Sequence, residues 1–466
     1  MWSLSPVAPT PEQLKILAEN KPGYFLIKGA AGSGKTTTAL LRLHQLCLNW
    51  LSRRDRLGLA DQVRVLVLTY NRTLEGYIGE LARQQVSKSD ALNLQVSTFS
   101  KWALEAIGET EVLNHNQAAS FLRPLANRLP LDSDFVIEEA GYVLSRFRPD
   151  DLELYLTKRR DGRGTNPRMD QRLKRRLLDE VIAPYMALKG SRGVYDWNDV
   201  AVAASNVNEV LPWDVVIIDE TQDFSANQVR AVLRHLAETF SVTFVMDAAQ
   251  RIYPRFFTWK EAGVTAFSKT YSLKQNYRNT KQIAAFARPL VEGLPLDGDG
   301  AMPDFTACTK EGTLPIMVAG SYRAQIEYII NRTLRTVDLT TESVAFLQPR
   351  GGQWFSFLRA ELKHRNIPFV ELTRESKWPK KLGGVALCTL HSAKGLEFDH
   401  VILPGLNREV TPHGHEDGDV HLDTLRRLIA MGVGRARESI CLGFSREDPS
   451  TVVNLLDPDT YELVTV

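Results

Sequence analysis

Cysteine is scarce in this chain: four among 466 residues, Cys47, Cys308, Cys388 and Cys441, with no CxxC pair. Neither a disulfide framework nor a structural zinc site is suggested by that spacing. Long apolar runs are missing too. No stretch approaches the ~18 consecutive apolar residues of a membrane span, and the opening MWSLSPVAPTPEQ has neither a basic leader nor an apolar signal core, so no membrane contact and a cytoplasmic location are expected. Internal repeats and long low-complexity tracts are absent. Net charge is only +2, while 44% of residues are hydrophobic, enough for roughly two to four compact units with their own cores.

What the chain has is a recurrence of short apolar, β-branched runs separated by helical patterns. YFLIKG (24–29), RVLVLTY (64–70), LQVSTF (94–99), DVVIID (214–219) and VTFVMD (242–247) form one set. LPIMVAG (314–320), SVAFLQ (343–348), VALCTL (385–390), HVILPG (400–405) and SICLGFS (439–445) form another. Strands alternating with helices predict parallel sheets wrapped by helices, hence two α/β domains. Between residues 103 and 205 the strand signal fades. There Val136, Ala140, Val143, Leu144 and Phe147, then Leu173, Leu177, Leu178, Val181, Ile182 and Tyr185, recur at helical spacing. The expected division is a first α/β domain over 1–102 and 206–270, a helical insertion over 103–205 and a second α/β domain over 271–466. Segment 291–312, rich in Gly, Pro and Asp, is expected to be a connecting loop. The charge is uneven: residues 158–176 carry nine basic residues against two acidic ones, which reads as a solvated helix face or a phosphate-backbone contact.

Gly29, Gly34, Lys35 and Thr36 fit GxxxxGK[ST] between a predicted strand and a predicted helix. Glycines let consecutive backbone N–H groups and the helix N-terminus face phosphate oxygens. Gly29, Ala30, Ala31, Gly32, Ser33, Gly34, Lys35, Thr36 and Thr37 are therefore expected to hold ATP, with Lys35 on the β and γ phosphates and Thr36 Oγ1 on Mg²⁺. In VVIIDETQDF an apolar run ends at two carboxylates, placing Asp219 as the Mg²⁺ residue and Glu220 as the general base. Charge on the γ-phosphate in the transition state calls for an inserted arginine, worth ~10³ to 10⁵ in rate in such enzymes. Arg278 in LKQNYRNT and Arg435 in MGVGRARES are candidates for that role or for ordinary surface arginines.

Together these motifs resemble a superfamily 1 helicase of the UvrD/Rep/PcrA group, in the expected order over nearly the whole chain. The resemblance implies two RecA-like P-loop domains and an ATP- and Mg²⁺-dependent motor moving 3′ to 5′ on single-stranded DNA. TPEQLKIL is similar to the family's adenine-reading motif, which makes Gln13 that glutamine. MDAAQRIY makes Gln250 the γ-phosphate sensor. NYRNT implies that Tyr277 stacks on adenine and Arg278 touches γ-phosphate. TLHSAKGLEFDHVIL implies nucleic-acid contact near Thr389 and His391 and ribose contact by Glu397, and RRLIAMGVGRARE makes Arg435 the second γ-phosphate arginine. TYNRTL and STFSKW sit where the family places strand-contacting loops, nominating Tyr70, Asn71, Thr98 and Phe99. YLTKRRDGRG resembles part of the family's insertion, which sets Arg163 against a nucleic-acid backbone.

Three departures qualify the resemblance. Only about 110 residues separate the fourth and fifth motifs, so the large insertion that family members carry there is expected to be missing, which weakens strand separation more than translocation. The third motif continues as YPRFFTWKEAG, where Phe256, Phe257 or Trp259 would stack on a base or fill the core. GVGRAR replaces the usual Val-Thr-Arg-Ala. No nuclease motif is visible, so a separate nuclease or repair protein is an expected partner of a second reading, a DNA-stimulated ATPase subunit that switches it. HGHEDGDVH (413–421) reads as an exposed loop rather than a metal site.

Overall fold

The computed structural model describes residues 9–29, 32–69, 89–161, 163, 167–208, 211–246, 257–273, 276–294, 308–349, 354–372, 384–413 and 419–466, with single positions 75, 79 and 82. Its first sheet contains β1 (Gly23–Gly29), β2 (Val63–Thr69), β3 (Leu92–Thr98), β4 (Trp213–Ile218), β5 (Leu236–Met246) and β6 (Lys269–Leu273). All neighbours are parallel, in the order β3-β2-β4-β5-β1-β6. The central strands are buried on both faces, which is why they read as continuous Val/Ile/Leu runs. Within β2, Leu66 and Leu68 enter one core and Val65 and Val67 the other, as the two-residue period of a strand requires.

The second sheet follows the same logic. It contains β9 (Ile316–Ala319), β10 (Ser343–Gln348), β11 (Phe369–Glu371), β12 (Gly384–Thr389), β13 (Phe398–Leu403), β14 (Ala436–Phe444) and β15 (Glu462–Thr465), ordered β11-β12-β10-β13-β14-β9-β15. A short ribbon of β7 (Asn276–Thr280) and β8 (Cys308–Lys310) precedes it. Between β7 and β12 the described residues are used by β8 to β11 and the helices around them, with no additional subdomain among them. Of the segment expected as a loop, residues 295–307 lie outside the described residues.

Between β3 and β4 the chain is helical, with one core uniting Val136, Ala140, Val143, Leu177, Val181, Ile182 and Tyr185. This insertion is bolted to the first sheet. Asn227 Nδ2 donates to the carbonyls of Leu144 and Phe147, at 2.9 and 3.0 Å. Arg146, 3% exposed, pairs with Glu261 at 2.9 Å. Arg230 donates to the carbonyls of Arg146 and Glu261. The tie is buried and polar on both sides, so shearing the insertion off would strand several unsatisfied groups.

Candidate nucleotide site and strand interface

The nucleotide loop leaves the carboxyl end of β1, where an open parallel sheet places its ligands. Gly34 caps the helix Lys35–Leu57 with φ 76°, and Gly32 has φ 78°, conformations that favour glycine. Space also demands glycine. A Cβ on Gly34 would lie 2.9 Å from Gln13 Nε2, and one on Gly32 would meet Asn276 Oδ1 and, at 2.8 Å, Arg278 Cβ. Ser33 Oγ is buried with no hydrogen-bond partner among the described residues. An orphan hydroxyl inside a glycine loop is a donor suited to a phosphate oxygen. Ala30 and Ala31 lie outside the described residues, and Thr37 is half-buried beside Thr36.

Gln13 joins the first helix to this loop. Its Oε1 accepts from Thr10 N at 2.9 Å, and its Nε2 donates to Thr38 Oγ1 at 3.0 Å.

Thr36 and Asp219, the two residues expected to hold a metal, are brought into contact. Thr36 Oγ1 donates to Asp219 Oδ2 at 3.0 Å, joining the loop to the end of β4. Both carboxylates are buried. Burial, then the neighbouring Glu220 charge, push Asp219 up to about 7 against the hydrogen bond from Thr36. Burial also acts to raise Glu220, but Lys394, Arg435 and Lys35 outweigh it and hold that carboxyl below its ordinary range. The two carboxyls are thus driven in opposite directions, Glu220 toward its ionised form and Asp219 toward its protonated one. This donor set fits Mg²⁺, a hard cation taking one or two carboxylates plus phosphate oxygens. Glu220 sits at φ 51°, left-handed backbone that is uncommon outside glycine, and Gln222 Nε2 holds its carboxylate.

From the second domain three basic side chains enter this site. Lys394, on the loop after β12, donates to Asp223 Oδ2 and lies 3.7 Å from Glu220 Oε2. Arg278 on β7 pairs with Glu397 and donates to Gly434 O at 3.3 Å. Arg435 is 2% exposed, with Nε on Met431 Sδ at 3.3 Å. Glu397 is shared between Arg278 and Arg437, the latter at 2.7 Å. Burial alone would raise it, yet the two guanidiniums bring it down to about 2. Lys394, Asp223 and Arg437 were not singled out from the sequence. Each lies inside a recognised motif, but only the fold shows which partner it faces. Asn279 completes the junction by donating to the carbonyls of Gly434 and Ala436.

The proposed strand contacts divide. Thr389 Oγ1 donates to Ser392 Oγ at 2.9 Å, shaping a loop on which His391 is exposed. Thr98 instead caps the helix Phe99–Ile107 through Lys101 N, and Phe99 is 4% exposed against Trp102 and Phe224. Trp259 is partly buried and packs on Phe244, Phe257 and Phe267 against the core, which occupies much of its ring surface. Tyr70, Asn71, Gln250 and Phe256, and the side chain of Tyr277, lie outside the described residues.

Arg163 departs most from expectation. It is 1% exposed, and its Nε donates to Glu139 Oε2 at 2.9 Å while Nη1 reaches Glu138. Glu139, itself fully buried, also accepts from Arg160 and Tyr155. Lys174 donates to the carbonyls of Tyr155, Leu156 and Lys158, Arg175 pairs with Glu153, and Arg176 with Glu180. Five of the nine basic residues of the run are therefore held within the insertion, four by acids outside the run and Lys174 by carbonyls. In HGHEDGDVH, residues 414–418 lie outside the described residues, while His413 Nε2 meets Thr451 Oγ1 at 2.8 Å.

The UvrD/REP helicase N-terminal domain matches residues 10–275, and the UvrD-like helicase C-terminal domain matches residues 370–447. The ATP-dependent DNA helicase UvrD2 of Mycobacterium tuberculosis is 24% identical over 380 residues, covering 56% of this chain and 53% of that protein. A probable DNA helicase of Mycoplasma pneumoniae is 25% identical over 244 residues, covering 49% and 42%. The chain spans about half the length of these curated relatives. Among solved structures, the C-terminal domain of a possible DNA helicase from Lactobacillus plantarun WCFS1 overlaps 40% of this chain and 98% of that one, at 21% identity and a TM-score of 0.31, a likeness too low to bear on the fold.

Proposed function

Starting from a chain that belongs to the UvrD/Rep helicase family, we propose that it is an ATP- and Mg²⁺-dependent motor moving 3′ to 5′ on single-stranded DNA, with duplex unwinding as an outcome of that movement. The observation that carries the proposal is one loop with two ends. At Thr389 and His391 it presents the candidate strand contacts, and five residues on from Thr389 it delivers Lys394 to Asp223 and Glu220. A displacement of that loop by a strand changes the field at the general base.

Bound ATP with Mg²⁺ would supply the phosphoanhydride that water cleaves. Lys35, the Ser33 hydroxyl and the loop amides would hold phosphate oxygens, and Thr36 and Asp219 would hold the metal. Glu220 takes the proton of the attacking water, and Arg278 and Arg435 stand on the opposite wall for the charge that develops. Arg278 must leave Glu397 to do so, and Arg437 remains to keep that carboxylate in place for a ribose.

A second reading, a DNA-stimulated ATPase subunit that switches a nuclease or a repair or defence protein, draws support from the short span between β7 and β12. ATP hydrolysis with and without single-stranded DNA, with Lys35→Ala as control, tests the motor. Strong stimulation that vanishes in the variant supports it, and movement on a labelled strand then separates motor from switch. Intact ATP and DNA binding without stimulation would sink the motor reading.

A further inference from the structure

A groove of about 520 Å³ opens between the helical insertion and the first domain, at the sheet edge opposite the nucleotide loop. Tyr24 lies in the second position of β1 there, Arg234 ends the helix Ala226–Arg234, and Ser205 ends the helix leading into β4. The length of β1 puts it about 20 Å from the phosphate loop. Cations line both walls: Arg148 and Lys158 on the insertion, Arg230 and Arg234 on the first domain.

Three of these cations are unused. Arg148, Lys158 and Arg234 are exposed, and their side chains make no hydrogen bond or ion pair among the described residues. Lys158 opens the basic run, but it differs from Arg160, Arg163, Lys174, Arg175 and Arg176 within it, which are held by acids or carbonyls. Arg230 is held by backbone carbonyls, and burial followed by the nearby Arg148 charge lowers its pKa. Of the acids at the groove, Glu261 is taken by Arg146, leaving Asp151 near Arg230. Apolar side chains line the groove between these charges, among them Phe147, Leu233 and Leu154, the last 43% exposed.

We propose that this groove is a second DNA-binding site, in which the phosphates of one strand of a duplex arm run between Arg148 and Lys158 on one wall and Arg234 on the other. Charge complementarity selects the occupant: free cations on facing walls fit a linear polyanion, and the apolar side chains between them accept sugars and base edges. The proposal rests on the reading of the chain as a DNA motor and adds a contact remote from the motif loops. It gives the insertion a DNA-binding role that its inward-facing Arg163 does not supply.

The test uses the full chain carrying Arg148→Ala, Lys158→Ala and Arg234→Ala together. Fluorescence anisotropy without ATP compares a short single-stranded oligonucleotide with a duplex bearing a 3′ tail across a salt series. The expected result is unchanged affinity for the short oligonucleotide, about tenfold or greater loss for the tailed duplex at ~50 mM salt, and a log–log salt slope flatter by about three for the latter. ATPase stimulation by the short oligonucleotide is read in parallel. Its absence in the unmutated protein would refute the motor while the anisotropy still decides the groove. Equal affinity and slope for the tailed duplex before and after substitution overturns the proposal. So does loss of polyglutamate binding with duplex affinity untouched, which would assign the groove to an acidic peptide.

Discussion

Lys394 and Asp223 meet across the cleft, each at most 2% exposed, the ammonium of one domain donating to the carboxylate of the other with Glu220 3.7 Å away. A buried pair of this kind is weak evidence for stability, since the desolvation of both ions offsets their attraction. Its position beside Glu220, the proposed general base, gives it a different use. The ammonium keeps Glu220 ionised and ties that state to the loop carrying Thr389 and His391.

Lys394→Ala is accordingly expected to lower kcat for DNA-stimulated hydrolysis by about ten- to a hundredfold, the range of an interaction worth about 1.4 to 2.7 kcal/mol in the transition state. KM for ATP should move much less, because Lys394 faces the carboxylates rather than the phosphate loop. Steady-state kinetics with and without single-stranded DNA measures both. A normal kcat together with a lower melting temperature would reduce the bridge to a packing feature.

Lys35→Ala and Glu220→Gln should both stop turnover but part company in binding. The first removes charge from the phosphate loop and weakens ATP affinity. The second removes the base while keeping the loop, so ATP should bind and persist. Nucleotide binding followed by filter retention or a fluorescent ATP distinguishes them. Near-normal hydrolysis by Glu220→Gln would move the general base elsewhere.

Much of this architecture is legible in the sequence, and the limits are physical. β2, β4 and β10 are buried on both faces, so their apolar runs are long and unbroken. β6, β8, β11 and β15 escape notice because edge strands such as KTYSL, CTK, FVE and ELVT are short or largely exposed and have little apolar pattern to show. Thr36 and Asp219 are recognisable because each motif fixes its own local geometry. The Lys394–Asp223 pair is not, since it depends on how two sheets face each other over 171 residues of sequence separation. Arg163 misleads for a related reason: its partner Glu139 lies 24 residues upstream, on the helix Ser133–Arg146.

Asp219 carries a pH dependence whose sign follows from its environment. Its carboxyl is raised from 3.8 to about 7 in the metal-free fold, so the native state holds a proton there that the unfolded chain releases. Stability contributed at this site therefore falls as pH rises through that window, and Mg²⁺ binding must displace the proton. Mg²⁺ affinity of the nucleotide-free protein should weaken by up to about tenfold per pH unit below ~7 and level off above it. Titration calorimetry in buffers of different ionisation enthalpy counts the released proton. An affinity flat between pH 6 and pH 8 would show that Asp219 is already ionised.

The buried cluster around Glu139 makes the last prediction, and it separates folding from DNA binding. Glu139 answers Arg160 and Arg163 at once, with all three side chains at most 9% exposed. Glu139→Gln keeps the shape but removes the countercharge of Arg160 and leaves Arg163 with Glu138 alone, a loss of about 3 to 5 kcal/mol for a buried pair that loses one partner. Arg163→Ala should also destabilise the insertion, but by less, because Glu139 keeps Arg160 and Tyr155 as partners. Denaturant unfolding of the full chain measures both, and limited proteolysis should cut first within the insertion. Single-stranded DNA affinity of whatever fraction remains folded should be unchanged, because Arg163 points into the insertion rather than toward a strand. Unchanged stability with weakened DNA binding in Arg163→Ala would reverse that assignment and return the arginine to the phosphate backbone.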